Sequence, residues 1–388
     1  MRRLRYTLLL TVVFISGCWD RTEMNDLAFV MGTALDLTDN GKILCSLQVA
    51  IPAATGSGSA TGGGSGNHEK FYVIYAEGKN GNEIHRLLQK KSSRTLTYSH
   101  RSVVYISERL ARHGINNAMD IFTHDPRNRL KTYMMVVKGT EAKKILEINY
   151  PLKQVPIETV KVFDGSGDDL AVTLRDFYIT HLSEGIQPVL GVIEPDIHGK
   201  SSQLFRFTGA GVFKGLKLAG LLDEQETLAM MWVMNKLKFG RITTDLPHGE
   251  GEIGMMLMHT RSKITTQAGH DGVKFKVRLF GEGSLVESNT PLTVTKPADL
   301  KRMKKALEDS VRKEVQDLIL KTQTKLRADS MGFGHEMYKY APVKWAGLSD
   351  QWDTQFPRAN ISVDVSLRLH GAGMVSSSIE FRDKEMDK

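Results

Sequence analysis

Between Asp299 and Ala328, the residues Leu300, Met303, Leu307, Val311, Val315, Leu318, Thr322 and Leu326 recur at intervals of three or four. That spacing predicts a single long amphipathic helix over 299–328, because positions three and four apart share one helical face. Lys301, Arg302, Lys304 and Lys305 crowd its first turns, where the helix dipole disfavours positive charge. A solvated face is the default reading of that cluster, and contact with headgroups or a partner is the alternative. Ile361 to Leu369 then alternates as a strand with Ile361, Val363, Val365, Leu367 and Leu369 on one side.

The opposite end of the chain has a different pattern. Arg2, Arg3 and Arg5 precede Leu8 to Phe14, an apolar run too short to span a bilayer and typical of a secretory leader. It closes on Ile15-Ser16-Gly17-Cys18. Small residues before a cysteine at the end of such a run predict cleavage that leaves Cys18 at the N-terminus. Its sulfur is then expected to carry a diacylglycerol and its freed amine an acyl chain. Each buried methylene contributes ~0.8 kcal/mol, so several chains hold where a single one does not. The expected product is a body tethered to the outer face of a bacterial membrane.

With 388 residues, the chain exceeds what one hydrophobic core usually serves. Its formal charge of +8 includes the three leader arginines, which leaves +5 for residues 18–388. Acidic residues interleave with the basic ones, so nucleic acid is not an expected partner. With Cys18 acylated, Cys45 has no second cysteine to pair with. Alternation through Ile43, Cys45, Leu47 and Val49 makes it a buried small hydrophobe.

Taken in order, Leu27 to Leu37 and Ile43 to Ile51 read as strands joined at Asn40-Gly41, a strong hairpin signal. Residues 55–66 are nearly all Gly, Ser, Ala and Thr and read as a flexible loop within a domain. Strands follow at Phe71 to Ala76, Ser102 to Ile106 and Tyr133 to Val137. Helices are expected at 81–91, from a Ser107 cap through Phe122, from a Thr140 cap through Leu146, and at 170–182 behind Asp168-Asp169. Further on come strands at 205–213 and 216–221, a helix at 224–237 whose Met and Trp residues form core, and three β runs between 240 and 285. The expected architecture is α+β or mixed α/β in three successive domains, 18–202, 203–286 and 287–388, after a leader at 1–17.

No catalytic set assembles. The twelve histidines show no His-Glu-x-x-His, and there is no Gly-x-Ser-x-Gly elbow. Ser310 and Lys313 match Ser-x-x-Lys but fall inside the long helix. Asp164, Ser166, Asp168 and Asp169 lack the glycine and final glutamate of a calcium loop. Gly209-Ala210-Gly211 has Lys214 where a dinucleotide fingerprint needs its third glycine. No metal, cofactor or catalytic residue is expected.

From Cys18 onward the sequence resembles the Ger(x)C family of spore germination lipoproteins. The similarity rests on Gly17-Cys18-Trp19-Asp20-Arg21 with Glu23, Asn25, Asp26 and Leu27, then Glu77-Gly78-Lys79, Ser99-His100, Asp125-Pro126 with Arg129, and Lys138-Gly139. It continues through Gly209 to Gly215, Leu228 to Trp232, Asp329 to Gly334, Pro342-Val343-Lys344-Trp345, Trp352 and Phe356. Ile15 stands where leucine is commoner, and Asn80 where threonine is common. The resemblance implies a non-enzymatic C subunit of a nutrient germinant receptor, with three mixed α/β domains. It also implies two integral membrane partners, the A- and B-type subunits, on the outer surface of the spore inner membrane. The alternative is an extracytoplasmic solute-binding lipoprotein of a transporter, which would present a cleft between two similar lobes. An extracytoplasmic hydrolase is disfavoured by the missing nucleophile and metal sets.

Overall fold

Strands β1 (Leu27–Leu37) and β2 (Ile43–Ala50) form the hairpin that Asn40-Gly41 predicts, with Gly41 at φ 73° in the turn. The computed structural model describes residues 23–51, 71–123, 128–148, 169–196, 205–269 and 272–370. The leader, Cys18, the loop 55–66, the residues Asp125, Asp164, Ser166 and Asp168, and the tail after Ser376 lie outside the described residues.

Around the hairpin grows one mixed sheet. β2 pairs with β3 (Phe71–Gly78), and β1 pairs in parallel with β4 (Thr95–Thr97) and β5 (Val103–Ser107). β5 is followed in parallel by β6 (Tyr133–Val137) and β8 (Val189–Pro195), with the short β7 (Val172–Thr173) on β6. All five residues of β5 are buried, the pattern of a parallel strand covered on both faces. β9 (Phe205–Lys214) pairs antiparallel with β8, and β10 (Lys217–Leu222) closes that edge. The boundary expected at 202/203 is therefore not a break in the sheet, because β9 satisfies the outer edge of β8 across it.

Helices α1 (Gly81–Gln89), α2 (Glu108–His113) and α3 (Asn116–Thr123) cover one face. Asn80 caps α1 by accepting from the Glu83 amide. Ser107 caps α2 as predicted, but the single helix expected through Phe122 divides at Gly114, whose φ of 124° ends α2. The opposite face is covered by α4 (Ala142–Leu146), and its cap corrects the sequence reading. Asp36 of β1, not Thr140, receives the Ala142 and Lys143 amides, at 2.7 and 3.0 Å. α5 (Leu174–Leu182) likewise starts later than expected. Residues 172–173 pair with β6, and Thr173 and Asp176 form the capping box in place of Asp168-Asp169.

The second sheet runs β11 (Gly240–Asp245), β12 (Glu252–Gly269), β13 (Gly272–Asn289) and β14 (Asn360–Leu369). β13 crosses the boundary expected at 286/287. β14 alternates as predicted, with Val363, Val365 and Leu367 buried, and joins β13 in parallel. α6 (Glu224–Val233), capped by Asp223 and Glu226, buries Met230, Met231 and Trp232 as core. Across both α6 and the sheet lies α7 (Pro297–Lys321), extended by a π-helical turn at Thr322–Leu326. The predicted helix is thus present over 297–326, with Met303, Leu307, Val311, Val315 and Leu318 buried. Lys321 pairs with Glu226 to fix α7 on α6. The two sheets and their helices give a mixed α+β architecture.

Leu307 is fully buried at the middle of the stripe. Leu307→Ala is expected to cost about 2–5 kcal/mol, read from urea denaturation, through lost burial and a residual cavity.

Candidate functional site

The motif residues 329–334, 345, 352 and 356 converge on one place, the joint between the two sheets. α7 leaves its π turn through Arg327, at φ 49°, and Gln323 holds the exit by donating to the carbonyls of Phe356 and Ala359, at 2.8 and 2.9 Å. Asp329 follows, buried. Its carboxylate accepts the amides of Gly332, Phe333 and Gly334 at 2.8, 3.1 and 2.8 Å, and the Trp352 indole N–H at 3.1 Å. These amides open α8 (Phe333–Tyr340), so the carboxylate sits at a helix N-terminus. Burial still dominates and pushes the Asp329 pKa up to about 6, against the lowering effect of those four hydrogen bonds.

From the first sheet, the loop between α5 and β8 reaches into this turn. The Gln187 amide donates to the Asp329 carbonyl at 2.8 Å, and the His335 amide donates to the Gly185 carbonyl at 2.9 Å. Trp345, in α9 (Pro342–Ala346), donates its indole N–H to the Glu184 carboxylate. Gly185 has φ 69°, and a Cβ there would lie 2.4 Å from the Gly334 carbonyl carbon. Only glycine lets the two backbones meet. Phe275 of β13 completes the joint, with ring centroids 5.2 Å from Phe333 and 6.1 Å from Trp352.

The helices flanking the joint carry exposed apolar side chains, from both halves of the chain. Leu182 at the end of α5 is 79% exposed, Tyr340 of α8 78% and Val343 of α9 88%. Tyr338, half-exposed, stacks on His335 with centroids 5.9 Å apart. Lys339 and Lys344 flank these side chains in sequence. Large exposed apolar side chains suit an interaction surface better than a reaction centre.

The basic start of α7 offers less than its sequence suggests. Arg302 pairs with Glu250, and Lys304 with Glu308 at 3.5 Å, which leaves Lys301 and Lys305 as exposed charges. Ser310 donates to Glu314 on the same helix rather than facing a lysine. Gly209 and Gly211 lie inside β9, where a Cβ on Gly209 would strike the Leu222 carbonyl oxygen at 2.1 Å. Among the described residues, no three His, Cys, Asp or Glu side chains come together as metal ligands. Glu184, Gly185 and Gln187 were not singled out by sequence reasoning. Their only local signal is a glycine three residues after a helix end.

Residues 20–195 match the family described as spore germination protein N-terminal domain. Residues 208–373 match the family described as spore germination B3/GerAC like, C-terminal. The chain belongs to the Ger(x)C family of spore germination proteins. Spore germination protein KC of Bacillus subtilis is 26% identical to it over 398 residues, with 97% of each chain covered. Spore germination protein B3 of the same organism is 24% identical over 376 residues, covering 93% of this chain and 95% of its own. The crystal structure of the GerBC protein shares the fold, with a TM-score of 0.56 and 18% identity, covering 87% of this chain and 96% of that one. The Ger(x)C chain therefore has a role in spore germination.

The folded chain holds the Asp329 proton more tightly than the unfolded chain does, since its pKa rises from 3.8 to about 6. The resulting stabilisation is complete below pH 3.8 and is lost as the pH rises through about 6. Asp329→Asn cannot titrate. Between pH 3 and 7 the wild type is expected to lose about 3 kcal/mol relative to that variant, measured by urea denaturation at stepped pH.

Proposed function

We propose that this protein is a lipid-anchored, non-enzymatic C subunit of a nutrient germinant receptor. It acts through protein–protein contacts with the A- and B-type integral membrane subunits at the outer surface of the spore inner membrane. The observation that carries the anchoring is Ile15-Ser16-Gly17-Cys18 at the end of a short apolar run behind three arginines. Cys18 would bear the S-diacylglycerol and the N-acyl chain, the latter a palmitate-type acid. Confinement to the membrane plane raises the effective concentration of the body near its partners.

The contact surface in this reading is the patch of Leu182, Tyr338, Tyr340 and Val343. No helix among the described residues is long and apolar enough to cross a membrane, so attachment through Cys18 supplies what the described fold does not. A solute-binding lipoprotein would present two matched lobes. The described residues instead form a ten-stranded and a four-stranded sheet of different topology.

Full-length protein and its Cys18→Ala form, purified from spore inner membranes, distinguish these readings. The wild type is expected to bring down two multispanning subunits and to yield an N-terminal peptide heavier by its acyl groups. Cys18→Ala is expected to lose the added mass and most of the partners. Recovery of transporter components with the wild type would refute the receptor reading. In the same assay, Leu182→Glu combined with Tyr340→Glu should lower partner recovery at least tenfold with an unchanged melting temperature.

A further inference from the structure

The second sheet buries one face and shows the other to solvent. Phe275, Val277 and Leu279 of β13 lie in the core. Lys274, Lys276 and Arg278 therefore point outward, about 7 Å apart by the two-residue period of a strand. β12 sets Lys263 directly opposite Arg278, and Arg261 follows on the same face opposite Phe280. Like charges directly opposite on neighbouring strands repel, so the Lys263 and Arg278 pairing costs stability. β14 sets Asp364 against Arg278, with the short Ser362 and Ser366 on either side of it.

Five basic side chains thus share these rows with the single carboxylate of Asp364. Asp364 pairs with Lys276 at 2.6 Å, and Arg261, Lys263, Lys274 and Arg278 are exposed. The Lys276 hydrogen bond, together with the charges of Arg278 and Arg312, holds the Asp364 carboxyl below the usual carboxylate range. The face therefore keeps a net positive charge over a broad surface that the serines of β14 leave without a wall. Phe280 is the one ring in these rows. Single-stranded nucleic acid calls for several stacking rings, and a duplex for an element that enters a groove. A plane of negative charge fits this surface better than either.

The topology brings the sheet to the correct end of the molecule for such a plane. β1, β5, β6 and β8 run in one direction, so β1 and β8 start at the same end of the first sheet. The chain arriving from Cys18 enters there through Glu23 to Asp26, and the joint residues Glu184 to Gln187 directly precede β8. The second half is therefore joined at the end from which the anchor would emerge. We infer that the outward face of β12, β13 and β14 docks on an anionic lipid surface, through Arg261, Lys263, Lys274 and Arg278. The inference takes from the function proposed above only that the body works beside a bilayer. Each basic residue near an anionic leaflet adds to the attraction, which fades within a Debye length of about 8 Å. Docking of this face would fix the orientation of the body, which a flexible lipid tether alone does not.

A fluorophore on Ser366→Cys in the full-length Cys18→Ala chain reads how near this face comes to a bilayer, with no need for acylation. Cys45 is buried and escapes the label. The vesicles are phosphatidylcholine, alone or mixed with phosphatidylglycerol, and carry a headgroup spin label that quenches at short range. Quenching of the Ser366 probe is expected on the phosphatidylglycerol vesicles only, and high salt is expected to reverse it. A probe on Asn40→Cys, in the hairpin turn at the far end of β1, should stay bright. Lys274→Glu with Arg278→Glu should reduce the quenching roughly tenfold or more at an unchanged melting temperature. Lys301→Glu with Lys305→Glu removes as many exposed charges from α7 and should leave it intact. Equal quenching on both kinds of vesicle, or equal loss in the α7 variant, would overturn the inference. Absence of quenching on both would also overturn it, and a response of the probe to polyglutamate would then assign the face to an acidic protein. None of these results touches the Cys18 reading, and failure of that reading leaves them unchanged.

Discussion

The Asp329 carboxylate, held by three consecutive backbone amides and one indole, is the interaction on which the arrangement of the two sheets depends. A buried carboxylate is costly unless nearly all its acceptor positions are used, and here four donors converge on two oxygens. Those donors fix the 329–334 turn. The turn in turn places Gly334 against Gly185, close enough that neither position accepts a side chain. Trp352 and Phe356 pack against each other beside it, and Gln323 ties the same segment to the end of the long helix. One short motif thereby joins the first sheet, the second sheet and the helix that spans the latter.

This gives the dense stretch 329–334 and its tryptophans a structural role. Aspartate, glycine and tryptophan stand where the backbone geometry demands them, and the surface next to them is apolar and exposed. A partner seated on Leu182, Tyr340 and Val343 would touch the first sheet through α5 and the second half through α8 and α9. Its binding energy would act on the joint directly. In the receptor reading proposed above, that placement would couple an external contact to the relation between the two halves, as long as the joint remains rigid.

Features with short-range periodicity were legible in the sequence. The Asn40-Gly41 hairpin, the stripe of α7, the alternation of β14 and the burial of Cys45 all depend on neighbours within a few residues. Cys45 lies in the core as expected, where burial pushes its thiol pKa up to about 12. Contacts across long separations were not legible. Asp36 caps α4 from 106 residues away, so Thr140 looked like the better cap. Glu184 meets Trp345 across 161 positions, and no local pattern announces it. The expected boundaries at 202/203 and 286/287 followed changes in element type, whereas strand pairing runs across both. The Asp329 motif was visible as a resemblance, but its role as a joint emerged only from what lies on its other side.

The claim that the joint makes the two sheets one cooperative unit can be tested by equilibrium unfolding followed with two probes. Tryptophan fluorescence reports chiefly on Trp232, Trp345 and Trp352 in the second half, and hydrogen exchange of the β5 and β6 amides reports on the first sheet. The wild type is predicted to show coincident transitions, and Gly185→Ala, which forces the joint apart, to separate them. Separate transitions in the wild type, or a single unshifted transition in Gly185→Ala, would contradict the account.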